Sequence, residues 1–399
     1  MDNLLIATIL GFLILVASMV SVELGISVAI IEIGFGVIAG NFLDVTTTPW
    51  IDFLASFASI VLTFLAGAEV DPQLLREKWK VSVLLGGVSF LLPFIGAGAF
   101  ALFVAGWDLR QAEIAGVALS TTSLAVVYAV LVETGLTKTG IGKIIMASTF
   151  VTDLGTAIAL SALFIQPTVY FLVFVVVSIG VIVVMRGLQR WFFARYGDRV
   201  IEPEIKGAFA VLFLLMWVAD LAKSHAVLPA FLLGLAVAPV FQRHPEEHRR
   251  FRVVAFALLT PFFFFKSGLN VSLDALATAV PLLAGFFVVK IALKFLGVFP
   301  VALRYVRPHA TYTTLLMSTG LTFGTISSLY GLNAGIIDQT QFSVLVTVVI
   351  VSAVVPTAIA QRLFTPMEHV LSPEEVIDIE DEEFEPPRRL ERPLGEDGA

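Results

Sequence analysis

Asp153 is the residue on which chemistry is most easily built. It sits in Ser148-Thr149-Phe150-Val151-Thr152-Asp153, near the middle of an otherwise apolar run over 141–165. An ionisable side chain at membrane depth costs several kcal/mol, and it normally lines a water-filled path or pairs with another group. Thr149, Thr152, Asp153 and Thr156 recur at helical spacing, so they can share one polar stripe and offer oxygens to a partly dehydrated cation. The bland alternative is a protonated carboxyl making one hydrogen bond to a neighbouring helix.

A second group is basic. Lys290 lies in mid-run at Gly285-Phe-Phe-Val-Val-Lys290, and Lys294 follows one turn later, near a predicted membrane interface. A buried ammonium must lose its proton or find an anion. That leaves Lys290 either at the site or in a structural ion pair. Lys266 is read as snorkelling toward the outer surface. Asp220 and Glu69 are read as helix-end carboxylates near the interfaces.

Two runs carry clustered hydroxyls and glycine that weaken a helix. One holds Ser120-Thr121-Thr122-Ser123. The other holds Ser318-Thr319-Gly320-Leu321-Thr322-Phe323-Gly324-Thr325. Such clusters can re-satisfy backbone groups freed by a break. Ser120-Thr121 and Ser318-Thr319 fall in the fifth and twelfth hydrophobic runs. An offset of seven helices reverses orientation, so the halves read as an inverted repeat. Matching breaks in inverted halves point to a transporter's midplane site. Ordinary hydroxyl back-bonding in unbroken helices is the competing reading.

The elements that must position these groups follow from composition. Apolar residues make up 58% of the 399 and charged residues 14%, with 34 Phe and no Cys. The apolar stretches are continuous, which excludes a soluble enzyme, a disordered chain and an alternating outer-membrane barrel. Without Cys there is no disulfide framework and no thiol nucleophile.

Thirteen runs are candidate spanning helices: 3–21, 26–41, 51–69, 80–105, 112–132, 141–165, 168–186, 206–222, 227–241, 253–270, 277–303, 310–330 and 341–364. The first lacks the basic lead and cleavage site of a signal peptide. Lys and Arg concentrate in alternate loops: Arg76, Lys78 and Lys80; Lys138 and Lys143; Arg186, Arg190, Arg195, Arg199 and Lys206; Arg243, Arg249, Arg250 and Arg252; Arg304 and Arg307. The intervening loops hold only Arg110 and Lys223. Positive loops face the cytoplasm. The alternation predicts a multi-pass cell-membrane protein with its N-terminus outside and its C-terminus cytoplasmic.

The net charge of −7 comes from one end. Leu371 to Ala399 hold 11 Asp/Glu and 3 Arg, leaving 21 acidic and 22 basic residues elsewhere. Nothing suggests a nucleic-acid partner. Residues 1–366 are therefore expected to form one transmembrane domain, and 367–399 an acidic, disordered cytoplasmic tail. Among the five His, His244 and His248 lie in a basic loop and are read as solvated rather than as a pH sensor.

In order along the chain, these pieces resemble the second monovalent cation:proton antiporter family, of the Kef and NapA types. Glu32-Ile-Gly-Phe-Gly36-Val-Ile-Ala-Gly40, Phe64-Leu-Ala-Gly67-Ala-Glu69-Val-Asp71-Pro72, Ala118-Leu-Ser120-Thr121-Thr122-Ser123, Phe262-Phe-Phe-Phe-Lys266-Ser-Gly268 and Val289-Lys290-Ile-Ala each look like a family segment. The likeness spans about residues 2–364. It implies a sodium/proton-antiporter-like fold, with a core holding two crossed discontinuous helices and a panel that usually forms a homodimer. It also implies elevator-like exchange, and Asp153 falls on the family's ion-binding Asp. Thr152 departs from the family's Asp-Asp or Gln-Asp pair, which removes the usual partner of the Lys290 position. Kef-type relatives often add a nucleotide-binding domain. The tail is too short for one and no glycine-rich fingerprint follows the last helix, although a separate cytoplasmic regulatory subunit is compatible.

The expected function is exchange of a monovalent cation, sodium or potassium, for protons by competition at Asp153. Thr152 is expected to contribute to binding, supported by Lys290, Ser120, Thr121, Thr122, Ser123, Thr149, Thr319 and Thr322. One carboxylate trades one proton for one cation, so the exchange is expected to be electroneutral. It needs no cofactor and no catalytic residue. A cation channel and a sodium-coupled organic-anion symporter are the alternatives. An intramembrane protease using Asp153 and Asp220 lacks the Gly-x-Gly-Asp motif, since Val218-Ala219 precedes Asp220.

Overall fold

A computed structural model describes residues 2–366 except 25, 26, 44, 71, 138, 165–168, 197–200 and 223. The acidic stretch 367–399 lies outside the described residues, as do Lys138, Arg199 and Lys223. The described residues form helices joined by short connections, with no strand among them.

Each apolar run forms helix, and the ends follow capping chemistry. The first helices are α1 (Asn3–Leu24), α2 (Val28–Phe42), α3 (Pro49–Ala68) and α4 (Pro72–Phe103). Proline opens α3 and α4, where the missing N–H costs nothing. Next come α5 (Leu109–Ser120), α6 (Leu124–Glu133), α7 (Gly140–Leu163) and α8 (Val169–Tyr196). Asp108 and Gln111 form a reciprocal capping box at the start of α5, and the Thr139 hydroxyl caps α7 by accepting from the Gly142 N–H. Then follow α9 (Pro203–Leu221), α10 (Val227–Phe241), α11 (Pro245–Val254), α12 (Thr260–Leu269) and α13 (Leu273–Thr278). The chain ends in α14 (Val280–Tyr305), α15 (Ala310–Met317), α16 (Thr322–Asn333) and α17 (Gln339–Leu363), the last opened by an Asp338–Gln341 capping box.

Nine helical stretches among the described residues are long and apolar enough to cross a membrane, and α2 and α10 are shorter apolar helices of 15 residues. The sequence count of thirteen treated 253–270 as one run. There a wide turn of π-helix over Ala255–Leu259 separates α11 from α12. Pro261 supplies no N–H and would crowd the carbonyl four residues before it, so the backbone widens. The Thr260 hydroxyl donates to the Ala255 carbonyl at 2.9 Å.

The helices pack in two groups. In one, α2 lies against α1 and α12, α3 lies against α10 and α12, and α8 and α9 flank α10. In the other, α4 contacts α5, α7 and α14, while α15 and α16 pack on α17 and α16 on α5. Small residues set the closest approaches. A Cβ on Gly67 would strike the Phe231 carbonyl, and one on Gly234 would strike the Phe64 carbonyl, so α3 and α10 meet backbone to backbone. Gly36 and Gly268 play the same part between α2 and α12. In lipid, association rests on such packing because the tails are as apolar as the side chains. The outward faces bear Phe12, Val22, Phe103, Val176 and Leu296, as a bilayer solvent requires.

Lys266 does not reach the surface as the sequence reading expected. It is 4% exposed and its Nζ lies 2.8 Å from Asp52 Oδ1, tying α12 to the first turn of α3.

Replacing Gly67 by Leu is expected to destabilise the protein by about 1–3 kcal/mol, the usual range for overpacking. Gly11→Ala, at an open position, should leave the melting temperature in detergent unchanged. Equal melting temperatures for wild type and Gly67→Leu would contradict the crossing.

Candidate functional site

The two hydroxyl-rich segments are true breaks. Helix α5 ends at Ser120, and the chain runs extended through Thr121 before α6 begins at Leu124. Helix α15 ends at Met317, and Ser318–Leu321 are non-helical before α16. The local cause is side-chain competition for carbonyls. Ser120 Oγ donates to Val117 O at 2.8 Å, Ser318 Oγ to Thr314 O at 2.7 Å, and Thr319 Oγ1 to Leu316 O at 2.8 Å.

The breaks meet. Thr122 Oγ1 donates to the Met317 carbonyl at 2.9 Å, and the Ser123 N–H points to Thr319 Oγ1 at 3.4 Å. Gly324 lets α16 approach the Ala118 carbonyl, and Gly320 faces Thr121. All of Ser120, Thr121, Thr122, Ser123, Ser318 and Thr319 are buried.

The lysines divide the crossing between them. Lys294 does not lie near an interface, as its position in the run suggested. It is fully buried, and its Nζ donates to Ser89 Oγ at 2.8 Å, the Ser120 carbonyl at 2.9 Å and Thr122 Oγ1 at 3.0 Å. It thus caps the carbonyl end of α5 with an N–H donor. Lys290 is equally buried and sits against Gly320 of the second break, but its Nζ has no hydrogen-bond partner among the described residues.

Asp153, at the middle of α7, is 2% exposed, and its Oδ1 has no partner among the described residues. The α4–α7 contact holds it in place, since Gly86 admits the Ser148 carbonyl and Gly155 faces the Phe90 ring. The carboxylate opens on a narrow cleft of about 40 Å³ between the two helix groups. From the crossing come Thr122, Leu124 and Ala125 at the start of α6, and Thr322 and Phe323 at the start of α16. From the other side come Leu62, Leu65, Ala66 and Glu69 at the end of α3, with Phe256 of the π turn. Two helix N-termini, each a partial positive charge, therefore border the space in front of one carboxylate.

Of the residues expected at the site, Asp153, Thr122 and Thr322 line this cleft. Ser120, Thr121, Ser123 and Thr319 build the crossing behind it. Thr149 and Thr152 are buried on α7 but are not among its lining residues, and their hydroxyl protons go to the Ile145 and Thr149 carbonyls. The sequence reading passed over Ser89 and treated Glu69 as interfacial. Glu69 lines the cleft and lies 3.5 Å from Arg252 Nε. The four-residue spacing of Lys290 and Lys294 was the available signal for the second lysine, because it places both on one helix face.

Broken helices that cross beside a buried carboxylate define a helical secondary-transporter fold. The family model for the transmembrane sodium/hydrogen exchanger matches residues 9–365, and the chain belongs to that family. It is 26% identical over 349 residues to the probable Na(+)/H(+) antiporter 3 of Methanocaldococcus jannaschii, covering 82% of this chain and 88% of the relative. It is 24% identical over 331 residues to the Na(+)/H(+)-K(+) antiporter GerN of Bacillus cereus, covering 78% and 82%. The solved sodium proton antiporter MjNhaP1 of M. jannaschii superposes with a TM-score of 0.69 at 15% identity, covering 90% of this chain and 98% of that one. That likeness carries the fold. Family and fold are those of transporters rather than enzymes.

Lys294→Met removes three hydrogen bonds from a charged donor and leaves the Ser120 carbonyl unpaired. It is expected to lower stability by about 2 kcal/mol or more. Lys290→Met removes no hydrogen bond and should stay within about 1 kcal/mol of wild type or gain stability. Melting curves of the two variants in one detergent decide the order.

Proposed function

We propose that the protein exchanges a monovalent cation, sodium or potassium, for protons by competition at Asp153. One observation carries this reading: a single buried carboxylate, without a partner for Oδ1 among the described residues, faces a cleft bordered by two half-helix N-termini. The positive helix ends repel a cation, so the cation needs the ionised carboxylate. Protonation of that carboxylate removes the attraction and releases the cation. Neutral oxygens of Thr122 and Thr322, both lining the cleft, would complete the coordination, with Thr152 next to Asp153 on α7.

The exchange is electroneutral because one carboxylate carries either one proton or one cation. The bare anion is the form that crosses poorly, since it alone bears the full desolvation cost. No cofactor or nucleotide takes part, and the opposing ion gradient supplies the drive.

Translocation is elevator-like. Asp153, both breaks and Lys294 belong to one helix group, whereas Glu69 and Phe256 face them from the other. Sliding one group past the other would carry the carboxylate toward a second cavity of about 200 Å³, whose walls include Ser56, Ser59, Asp220 and His225. Glu69 then marks the cytoplasmic mouth, the N-terminus lies outside and the C-terminus inside. In this reading the protein works as a homodimer.

The relatives' names support sodium, and GerN's also supports potassium. The test uses proteoliposomes with a trapped pH dye and clamped membrane potential. Adding sodium, potassium, lithium or rubidium separately to wild type is expected to move protons, at a rate independent of voltage. Asp153→Asn should respond like empty liposomes while keeping a wild-type elution profile. Full proton-coupled transport by that variant, or a large uncoupled current in wild type, would defeat the proposal. The latter would favour a channel.

A further inference from the structure

A cavity separate from the ion cleft lies between α3, α8, α9, α10 and α11. Its volume is about 200 Å³, and its walls include Phe64, Phe192, Leu233 and Phe251 from α3, α8, α10 and α11. A cavity of about 150 Å³ lined by apolar side chains is enough to hold benzene. This one therefore has room for a hydrocarbon body.

The walls are carbon, apart from two carboxylates. Glu204, in the first turn of α9, is 6% exposed, and neither of its oxygens has a hydrogen-bond partner among the described residues. Glu247, in the first turn of α11, is 8% exposed, with Oε1 3.4 Å from His244 Nδ1. Arg250, three residues after Glu247, has its Nη1 3.3 Å from Glu202 Oε1. Helix N-termini favour both carboxylates, but they leave unfilled the acceptor positions that face the cavity.

A buried polar group without a partner is costly, and such groups in native proteins call for a specific reason. A bare metal ion is a poor solution here, because hard cations need several oxygen ligands and the remaining walls offer none. A cation with an apolar body fits both halves of the lining. Its ammonium N–H groups would satisfy the carboxylates, its hydrocarbon would fill the chamber, and the phenyl faces would add cation–π attraction.

We propose that this cavity is a binding site for an apolar primary ammonium, anchored on Glu204 and Glu247 with its hydrocarbon body against the phenylalanine walls. The inference stands independently of the ion chemistry at Asp153. A ligand there would touch α3 and α8 together, inside the helix group that faces the one carrying Asp153.

Binding of n-hexylammonium and of its neutral analogue 1-hexanol is measured by titration calorimetry on the full-length protein in lipid nanodiscs. Wild type is expected to hold the ammonium at least about tenfold more tightly than the alcohol, a difference of about 1.4 kcal/mol. Glu204→Gln should abolish that preference. Ala208→Phe, which fills the chamber, should remove binding of both compounds. Equal affinities in wild type, or a preference that survives in Glu204→Gln, would overturn the proposal. Should Glu204→Gln fail to fold, undiminished ammonium binding by Ala208→Phe would overturn it equally.

Discussion

Two helices interrupted inside a membrane must find partners for the backbone groups they release, and this need organises the rest of the molecule. No water is at hand in lipid to accept the cost. The solution is mutual. Thr122 of the first break donates to Met317 at the end of the second helix, and the Ser123 N–H turns to Thr319. Lys294 closes the account at the Ser120 carbonyl. The crossing therefore depends on α14 delivering an ammonium to one point, on hydroxyls at matching positions in both halves, and on Gly320 and Gly324 where a side chain would collide.

That arrangement also shapes the field around Asp153. The carbonyl end of α5 is answered by Lys294, while the N-termini of α6 and α16 point into the cleft unopposed except by carboxylates. Asp153 is the deep one. Glu69, at the end of α3, is the shallow one and is shared with Arg252. In the proposed exchange, a positive rim with one deep negative charge makes the site attractive to a cation only while that charge persists. Lys290 is buried a turn away from Lys294 without a hydrogen bond among the described residues. The pair shows how steeply depth and register discriminate between identical side chains on one helix.

The two helix groups differ in how they are joined. Glycines bring α3 onto α10 and α2 onto α12 at backbone contact, and the Lys266–Asp52 ion pair ties α12 to α3. The group carrying Asp153 is held by α4 against α5, α7 and α14. The cleft at Asp153 falls between these groups, so the proposed displacement of one past the other would change the surroundings of Asp153 without unmaking either interior.

Much of this was legible in the residues. Continuous apolar runs can only be buried or lipid-facing helix, so every run became helical. A lone Asp among threonines in mid-run was the natural candidate for the site, and clustered Ser, Thr and Gly marked both breaks because their hydroxyls compete for helix carbonyls. Periodicity says which face of a helix a residue occupies. It does not say what stands opposite that face. Lys290 and Lys294 share a face, and only the crossing of α14 with the α5–α6 break gave Lys294 the three oxygens. Thr149 and Thr152 share Asp153's helix, yet the cleft is lined instead by Thr122 and Thr322, brought from 31 and 169 residues away in the chain. Lys266 found Asp52 rather than the surface, and Glu204 and Glu247 converged on one cavity, for the same reason. Helix identity is set by local composition, whereas the partner of a buried charge is set by which helices cross and at what depth.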